Sequence, residues 1–371
     1  MKYKILILIL IFILLMGITI SAEEKQIYEF DEALNIVIKN SLDLKAKDKA
    51  LSKAYDTFER LDKASPMSIT FKNSNFKRFI TSQVEPFVKA EEAYRKYRQA
   101  ILERDNFKTT IGLNLRSAVI AVENAEKALK ESSANKKAWE NEIKSLKLKM
   151  DKNFITEKEY ENKKSEFEKK IKEAAKYETA LDDAYYNLNL ILVRENNNDI
   201  EINIVMDMIS LDDLDLKQIK KELIAKDLSL TQKKDNRYMQ KLYYDLVDEE
   251  ISNYKIERLA ETVREYVLET YEEAKINYET ANLEYEKALA SFDRNFEEMI
   301  QNIKDIIEQA EELEKELSVG QQNAEFIKRK YEAKLITKAE YDNKMNELNT
   351  LKDKLDTLQK ELNLKFAKLL S

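Results

Sequence analysis

Histidine and cysteine are absent from this 371-residue chain, and glycine and proline number only 3 and 2. Without cysteine there is no disulfide, no thiol nucleophile and no thiolate metal ligand. Without histidine there is no imidazole base, and most zinc sites lose their ligands. So little glycine and proline excludes a β-rich fold, whose tight turns draw on those residues. The 63 basic and 70 acidic residues are interspersed rather than blocked, so no nucleic-acid footprint is expected. Carboxylate pairs are abundant, but none stands beside a glycine-rich loop or another site signature, and no catalytic dyad is assigned. The sequence therefore reads as a non-enzyme with no cofactor and no metal.

What remains is 36% charged and 43% hydrophobic, rich in Lys, Glu, Leu and Ala, the composition of long helices or coiled coils. The first 22 residues read as a secretory signal. Lys2 and Lys4 precede an uncharged apolar run, Ile5 to Ile20, and Ser21-Ala22 offers a small-residue exit before Glu23. Cleavage after Ala22 is the first reading and an uncleaved N-terminal anchor the second. No cysteine follows to carry a lipid. The mature part is expected outside the cytoplasm.

One stretch occurs twice. Asn153-Phe154-Ile155-Thr156-Glu157-Lys158-Glu159-Tyr160 returns, 181 positions on, as Lys334-Leu335-Ile336-Thr337-Lys338-Ala339-Glu340-Tyr341. Thr156 and Thr337 look like N-caps, with Glu159 and Glu340 completing capping boxes. Each copy follows one long helical pattern and opens another, so each is the turn of a helical hairpin. After the turns the apolar residues keep a seven-residue period. Tyr160, Phe167, Ala174, Leu181 and Leu188 form one seam, with Tyr177, Ala184 and Ile191 beside it. Tyr341, Leu348, Leu355, Leu362 and Leu369 form the other, with Met345, Leu351 and Leu358 beside it. Such a repeat implies left-handed packing of long helices.

Upstream, Phe30, Ala33, Leu34, Val37 and Ile38 begin a short helix, Asn40-Ser41 breaks it, and Leu42 and Leu44 open a longer one. Ser65-Pro66 ends that helix. Met67, Ile69 and Phe71 then alternate with polar residues before Asn73-Ser74-Asn75, which reads as a strand and a turn. Pro86 is expected to begin a helix that runs through Gly112 to about residue 152. A polar connector, Glu195 to Asp199, leads to Ile200, Ile202 and Ile204 at period two, a second short strand. Ile219, Leu223, Ile224, Leu228 and Leu230 echo Ala33, Val37, Ile38, Leu42 and Leu44. From about 216 to 333 the pattern is helical, with Asn253 and Gly320 as its weak spots. The sequence thus reads as an all-α chain of elongated antiparallel hairpins in two tandem repeats, 23–199 and 200–371 after the signal 1–22, with at most a few short strands. Arms of about 45 residues, roughly 65–70 Å, cannot bury a compact core alone, so assembly with further helices is expected.

Phe30-Asp31-Glu32-Ala33-Leu34 with Asn40-Ser41-Leu42-Asp43-Leu44 is similar to the opening of the TolC-like outer-membrane efflux proteins. Tyr331-Glu332-Ala333-Lys334-Leu335-Ile336-Thr337, with its first-half copy Met150 to Thr156, resembles their hairpin turn. The order and duplication extend the resemblance over about residues 27–371. It implies a homotrimer whose hairpins form a hollow helical tunnel, passive in transport. A periplasmic adaptor meets the tips, and an inner-membrane efflux or secretion transporter supplies energy. The tip residues Asn153, Phe154, Ile155, Thr156, Lys334, Leu335, Ile336 and Thr337 become the adaptor contacts. Glu325, six residues before Tyr331, takes the place of an acid lining the entrance, although the family's second acid is Lys328 here.

Two departures stand out. The family's turn glycine is Asn153 and Lys334. Lysine adopts a left-handed backbone less readily than asparagine, so the second turn is expected to differ in shape. The segments that should carry barrel strands, 62–86 and 246–270, hold at most shortened strands in the first and a charged helical pattern in the second. The barrel is therefore read as reduced or missing, and contact with an outer membrane is left open. Bland alternatives stand beside each feature. Phe154 and Leu335 could staple their own hairpins, and Glu325 could be a solvated surface acid. Tyr266, Tyr271, Tyr278 and Tyr285 read as seam packing rather than a stacking platform. The rival to a tunnel is an extracytoplasmic coiled-coil spacer or surface scaffold with no lumen.

Overall fold

The computed structural model describes residues 25–71, 75–204, 210–253 and 256–371. The expected signal and the Asn73-Ser74 turn lie outside them. The chain is 87% helical. Strand β1 (Gln26–Glu29) leads to α1 (Phe30–Asn40), α2 (Leu42–Ala64), a single turn α3 (Phe76–Phe79) and α4 (Glu85–Asp151). After the first hairpin turn come α5 (Glu157–Leu192) and β2 (Ile200–Asn203). Then follow α6 (Leu216–Lys226), α7 (Leu228–Ser252), α8 (Glu261–Glu332) and α9 (Lys338–Leu370). Two long antiparallel hairpins in tandem, α4/α5 and α8/α9, carry the fold. At 72 residues, α8 is on the order of 108 Å long.

Contacts group the chain into two compact units, one of residues up to 40 with 115–205, the other of 41–114 with 206–371. In the first, β1 and β2 pair in parallel, Gln26 opposite Ile200 and Glu29 opposite Asn203. The period-two isoleucines explain β2, since Ile200 and Ile202 are buried while Glu201 and Asn203 face out. Its partner β1 has no such pattern and was not legible. α1 lies against α5, burying Ala33 and Val37.

The second unit has two apolar clusters. One joins Leu211, Phe296, Ile300, Ile303, Phe366 and Leu369. The other joins Phe76, Phe79, Ile80, Val84, Val247 and Val267. The second cluster corrects the strand expected at Met67, Ile69 and Phe71. Ile69 and Phe71 rest against it from an irregular segment, Met67 is fully exposed, and the Thr70 N–H donates to the Gln83 side chain at 2.7 Å. Alternation here reports a loop draped on a helical core, because among the described residues no second extended segment pairs with it to complete a ladder. The following helix also begins earlier than Pro86. Asn75 caps α3, and a π-helical turn, Ile80–Val84, passes directly into α4. In that turn the Glu85 N–H bonds to Ile80 O, which lets the chain remain helical up to a residue that has no N–H to give.

The helix expected from 216 to 333 is in fact three. Asp227 ends α6 and caps α7, its carboxylate accepting from the Leu230 N–H at 2.8 Å. α7 ends at Asn253, as the sequence suggested. Gly320 is no break. It lies inside α8, where an added Cβ would sit 3.0 Å from Leu348 Cδ1, so it is a packing glycine at the α8/α9 seam. The heptad seams hold, with Tyr160, Ala174, Leu188, Leu348, Leu355 and Leu369 buried. Tyr177 is the exception and is exposed, while its neighbour Tyr185 is buried instead. The tyrosines of α8 pack on α7. Tyr244 stacks on Tyr278 at 6.0 Å and bonds Tyr271 at 3.1 Å, and the Arg237 guanidinium covers Tyr285 at 4.1 Å.

Contacts recur between the halves at fixed offsets, 186 residues as far as α2 and α7 and 181 beyond. Ser41 caps α2 through Leu44, as Asp227 caps α7 through Leu230. The ion pair Lys47–Glu103 at 2.9 Å returns as Lys233–Glu284 at 2.7 Å. The stacked pair Phe58–Tyr97 returns as Tyr244–Tyr278. The offset changes by five between α2/α7 and the long helices, so the second connection is the shorter. Among the described residues β1 and β2 are the only strands, and neither lies in these connections. Residues 65–75 and 253–260 are each too short for two membrane-spanning strands of about 9–11 residues plus a turn. No described helix is long and apolar enough to cross a membrane.

Candidate functional site at the hairpin tips

Both tips are made by the same hydrogen bonds. At the first, Asn153 takes a left-handed backbone, φ 59°. Its N–H donates to Met150 O at 2.8 Å, and the Phe154 N–H donates to Lys149 O at 2.8 Å. At the second, Lys334 has φ 58°, its N–H donates to Tyr331 O at 2.9 Å, and the Leu335 N–H to Lys330 O at 2.8 Å. This pair of bonds is the Schellman closure of a helix end. The second turn therefore has the shape of the first. The closure supplies two hydrogen bonds to otherwise orphaned carbonyls, which outweighs the unfavourable backbone that lysine accepts.

Each next helix then starts from a full capping box. Thr156 N–H and Oγ1 donate to Glu159 Oε2 at 2.8 and 2.9 Å, and the Glu159 N–H donates back to Thr156 Oγ1 at 3.2 Å. Thr337 and Glu340 repeat all three distances. The Thr156 backbone N–H, and then its hydroxyl, hold the Glu159 carboxyl below its ordinary range, and Thr337 does the same for Glu340.

Between closure and cap each tip presents one large apolar side chain. Phe154 is 76% exposed and Leu335 74%. Neither staples its own hairpin. Ile155 and Ile336 are the half-buried ones, while Asn153, Thr156, Lys334 and Thr337 are exposed. Behind the second tip Tyr331 stacks on Tyr341 at 4.8 Å. The tips are thus hydrogen-bonded turns that offer a solvent-facing apolar knob with polar neighbours. Glu325 is exposed on α8, and no carboxylate cluster suited to a metal ion occurs among the described residues.

Two polar networks escaped the sequence. In the first unit, Lys25 Nζ reaches Glu126 at 2.8 Å and Tyr185 Oη at 3.2 Å, and Tyr185 Oη donates to Glu126 at 2.7 Å. Burial works to raise the Glu126 pKa, but the hydrogen bonds from Lys25 and Tyr185 and the Lys25 charge outweigh it and leave it lowered. The available signal was a glutamate next to Val119, Val122, Ala125 and Leu129, apolar residues at helical spacing. In the second unit, Arg95 Nη1 on α4 meets Asp235 Oδ1 on α7 at 2.8 Å, and Gln99 Nε2 meets Oδ2 at 2.8 Å. Arg95 also bonds Glu91 at 2.9 Å and lies 3.6 Å over the Tyr238 ring. Its partner on α7 is 140 positions away, beyond any local pattern.

No protein-family model matches the chain, and no curated protein matches it. Solved structures do. The CmeC outer membrane channel of Campylobacter jejuni aligns with 92% of this chain and 84% of its own, at TM-score 0.63 and 11% identity. The open-state MtrE outer membrane channel of Neisseria gonorrhoeae aligns with 92% and 88%, at TM-score 0.62 and 8% identity. A membrane protein from Pseudomonas aeruginosa aligns with 95% and 93%, at TM-score 0.59 and 10% identity. The chain has the fold of the TolC-like outer-membrane channels, without barrel strands among its described residues.

Proposed function

We propose that this protein is one subunit of a passive export conduit in the cell envelope. Three copies enclose a helical tunnel, and no reaction is catalysed. The observation that carries the reading is the whole-length likeness of the fold to outer-membrane channels. The duplicated plan supports it, since matched contacts at offsets of 186 and 181 fit two hairpins of one ancestry arrayed around a lumen. The chain is exported by its first 22 residues and works with a periplasmic adaptor and an inner-membrane efflux or secretion transporter. The adaptor binds Phe154 and Leu335 on their tips, with Asn153, Ile155, Thr156, Lys334, Ile336 and Thr337 framing them. The gate opens by splaying of the tips, and Glu325 draws cations to the entrance. Because the connections at 65–75 and 253–260 are too short for pairs of barrel strands, the conduit stops at a membrane rather than crossing it.

Light scattering after size exclusion tests the reading on residues 23–371. The expected result is a trimer that stays soluble without detergent. A monomer or an antiparallel dimer at micromolar concentration would move the assignment to a spacer without a lumen. For the tips, Phe154→Ser with Leu335→Ser should leave thermal stability unchanged and abolish co-purification of an adaptor from the source cell envelope. Unchanged co-purification would remove the tips from the contact.

A further inference from the structure

The recurrence of contacts locates a surface for a second copy of the chain. Within one chain α4 packs on α7 through Arg95, Gln99 and Asp235, and the Asn106 side chain donates to Lys226 O, at the end of α6, at 2.7 Å. α4 corresponds to α8 and α7 to α2 by the offsets already given. The positions on α8 that match this joint lie across the helix from the tyrosines that pack on α7, and those on α2 are exposed as well, so both faces are open to solvent in one copy.

Their chemistry is complementary. Ile276 and Leu283 stand at the positions of Arg95 and Leu102, one heptad apart, and are 57% and 56% exposed. Glu269 and Glu272 lie beside them, both exposed. On α2, Lys49 stands where Asp235 stands on α7, and Lys53 where the buried Met239 stands. Exposed Ala46 and Ala50 lie between them, and Leu42, exposed, takes the place of the half-buried Leu228. One face is acidic with two large apolar side chains. The other is basic with small residues that leave room for them. The register that brings Arg95 to Asp235 inside the chain brings Ile276 to Lys49 between chains, and Leu283 toward Leu42.

We propose that the α8 face carrying Glu272, Ile276 and Leu283 docks on the α2 face carrying Leu42, Lys49 and Lys53 of a second copy, head to tail. The two faces differ, so the contact is heterologous and copies close into a ring. The joint inside the chain is locked by a guanidinium–carboxylate pair whose side chains are only 15% and 11% exposed. The joint between copies has an isoleucine and a lysine at those positions and relies on exposed opposite charges, so it is the salt-sensitive one. The proposal rests on the conduit reading only in requiring more than one copy.

The native chain has no cysteine, so thiols can be placed freely. Lys49→Cys with Ile276→Cys, treated with a short bis-maleimide, should give a ladder of covalent species ending at a closed size, while either single variant gives none. A maleimide bridge is used because an Arg–Asp contact holds backbones farther apart than the roughly 7 Å limit for a disulfide. Lys49→Glu with Lys53→Glu should weaken assembly about tenfold or more at low salt, and adding Glu269→Lys with Glu272→Lys should restore it, which a folding defect would not allow. Assembly by light scattering without a ladder or rescue overturns this interface and leaves the conduit reading standing. A monomer under all conditions overturns both.

Discussion

The same joint is built twice with opposite chemistry. In the first unit Lys25, Glu126 and Tyr185 form a hydrogen-bonded triad. At the matching positions the second unit has Leu211, Ile307 and Phe366 in an apolar cluster. Around them the pattern agrees, with Leu115, Val119, Val122 and Leu188 answering Phe296, Ile300, Ile303 and Leu369, all buried. The comparison teaches that caps and seams set the backbone, while the contents of a joint are free to change provided every buried polar group finds a partner.

Mutations can break this comparison or sharpen it. Phe366→Ala empties the apolar joint and should cost about 3–5 kcal/mol in urea denaturation of the second unit. Tyr185→Phe keeps the volume of the polar joint and removes one hydroxyl, for an expected loss of about 1 kcal/mol. Equal losses from the two would mean that the joints are not alternative fillings of one frame. Val193, β-branched yet left-handed at φ 55° where α5 ends, should gain about 0.5–1 kcal/mol as Val193→Gly, because the relief of strain exceeds the entropy glycine adds to the unfolded chain. Lys334→Gly should gain somewhat less, and Asn153→Gly close to nothing, since asparagine tolerates that backbone. Thermal melts of the three variants check the order.

The smallest effect is an acid one. The Glu126 carboxyl is lowered in the folded chain, so its contribution is fully present above the ordinary value of 4.5 and is lost as pH falls through the lower folded value. Lys25 and Glu126 are 39% and 41% exposed, which screens the pair and keeps the change small. A stability titration from pH 6 to pH 2 should bend below 4.5, and the bend should shrink in Glu126→Gln. A bend that persists there points to the capping acids Glu159 and Glu340, also lowered.

The hairpins, their seams and both turns were legible because each rests on local chemistry: a Thr–Glu box, a heptad, an echo of Ala33 and Val37 in Ile219 and Leu223. What misled was also local. Met67, Ile69 and Phe71 alternate like a strand, yet strands need partners and the segment pairs with none among the described residues. Lys334 looked unsuited to its turn, yet two closing hydrogen bonds hold it there. Asp227 carried a cap signal that a helical run around it concealed. Strand β1 and the Arg95–Asp235 pair depend on partners over a hundred positions away, and no window along the sequence contains both members.

The central claim is that copies of this chain enclose a lumen. Electron microscopy of the assembled residues 23–371, viewed end-on, tests it most directly. The account predicts a ring of helices around an open centre. A solid bundle with helices filling the axis would contradict it and identify the chain as a spacer.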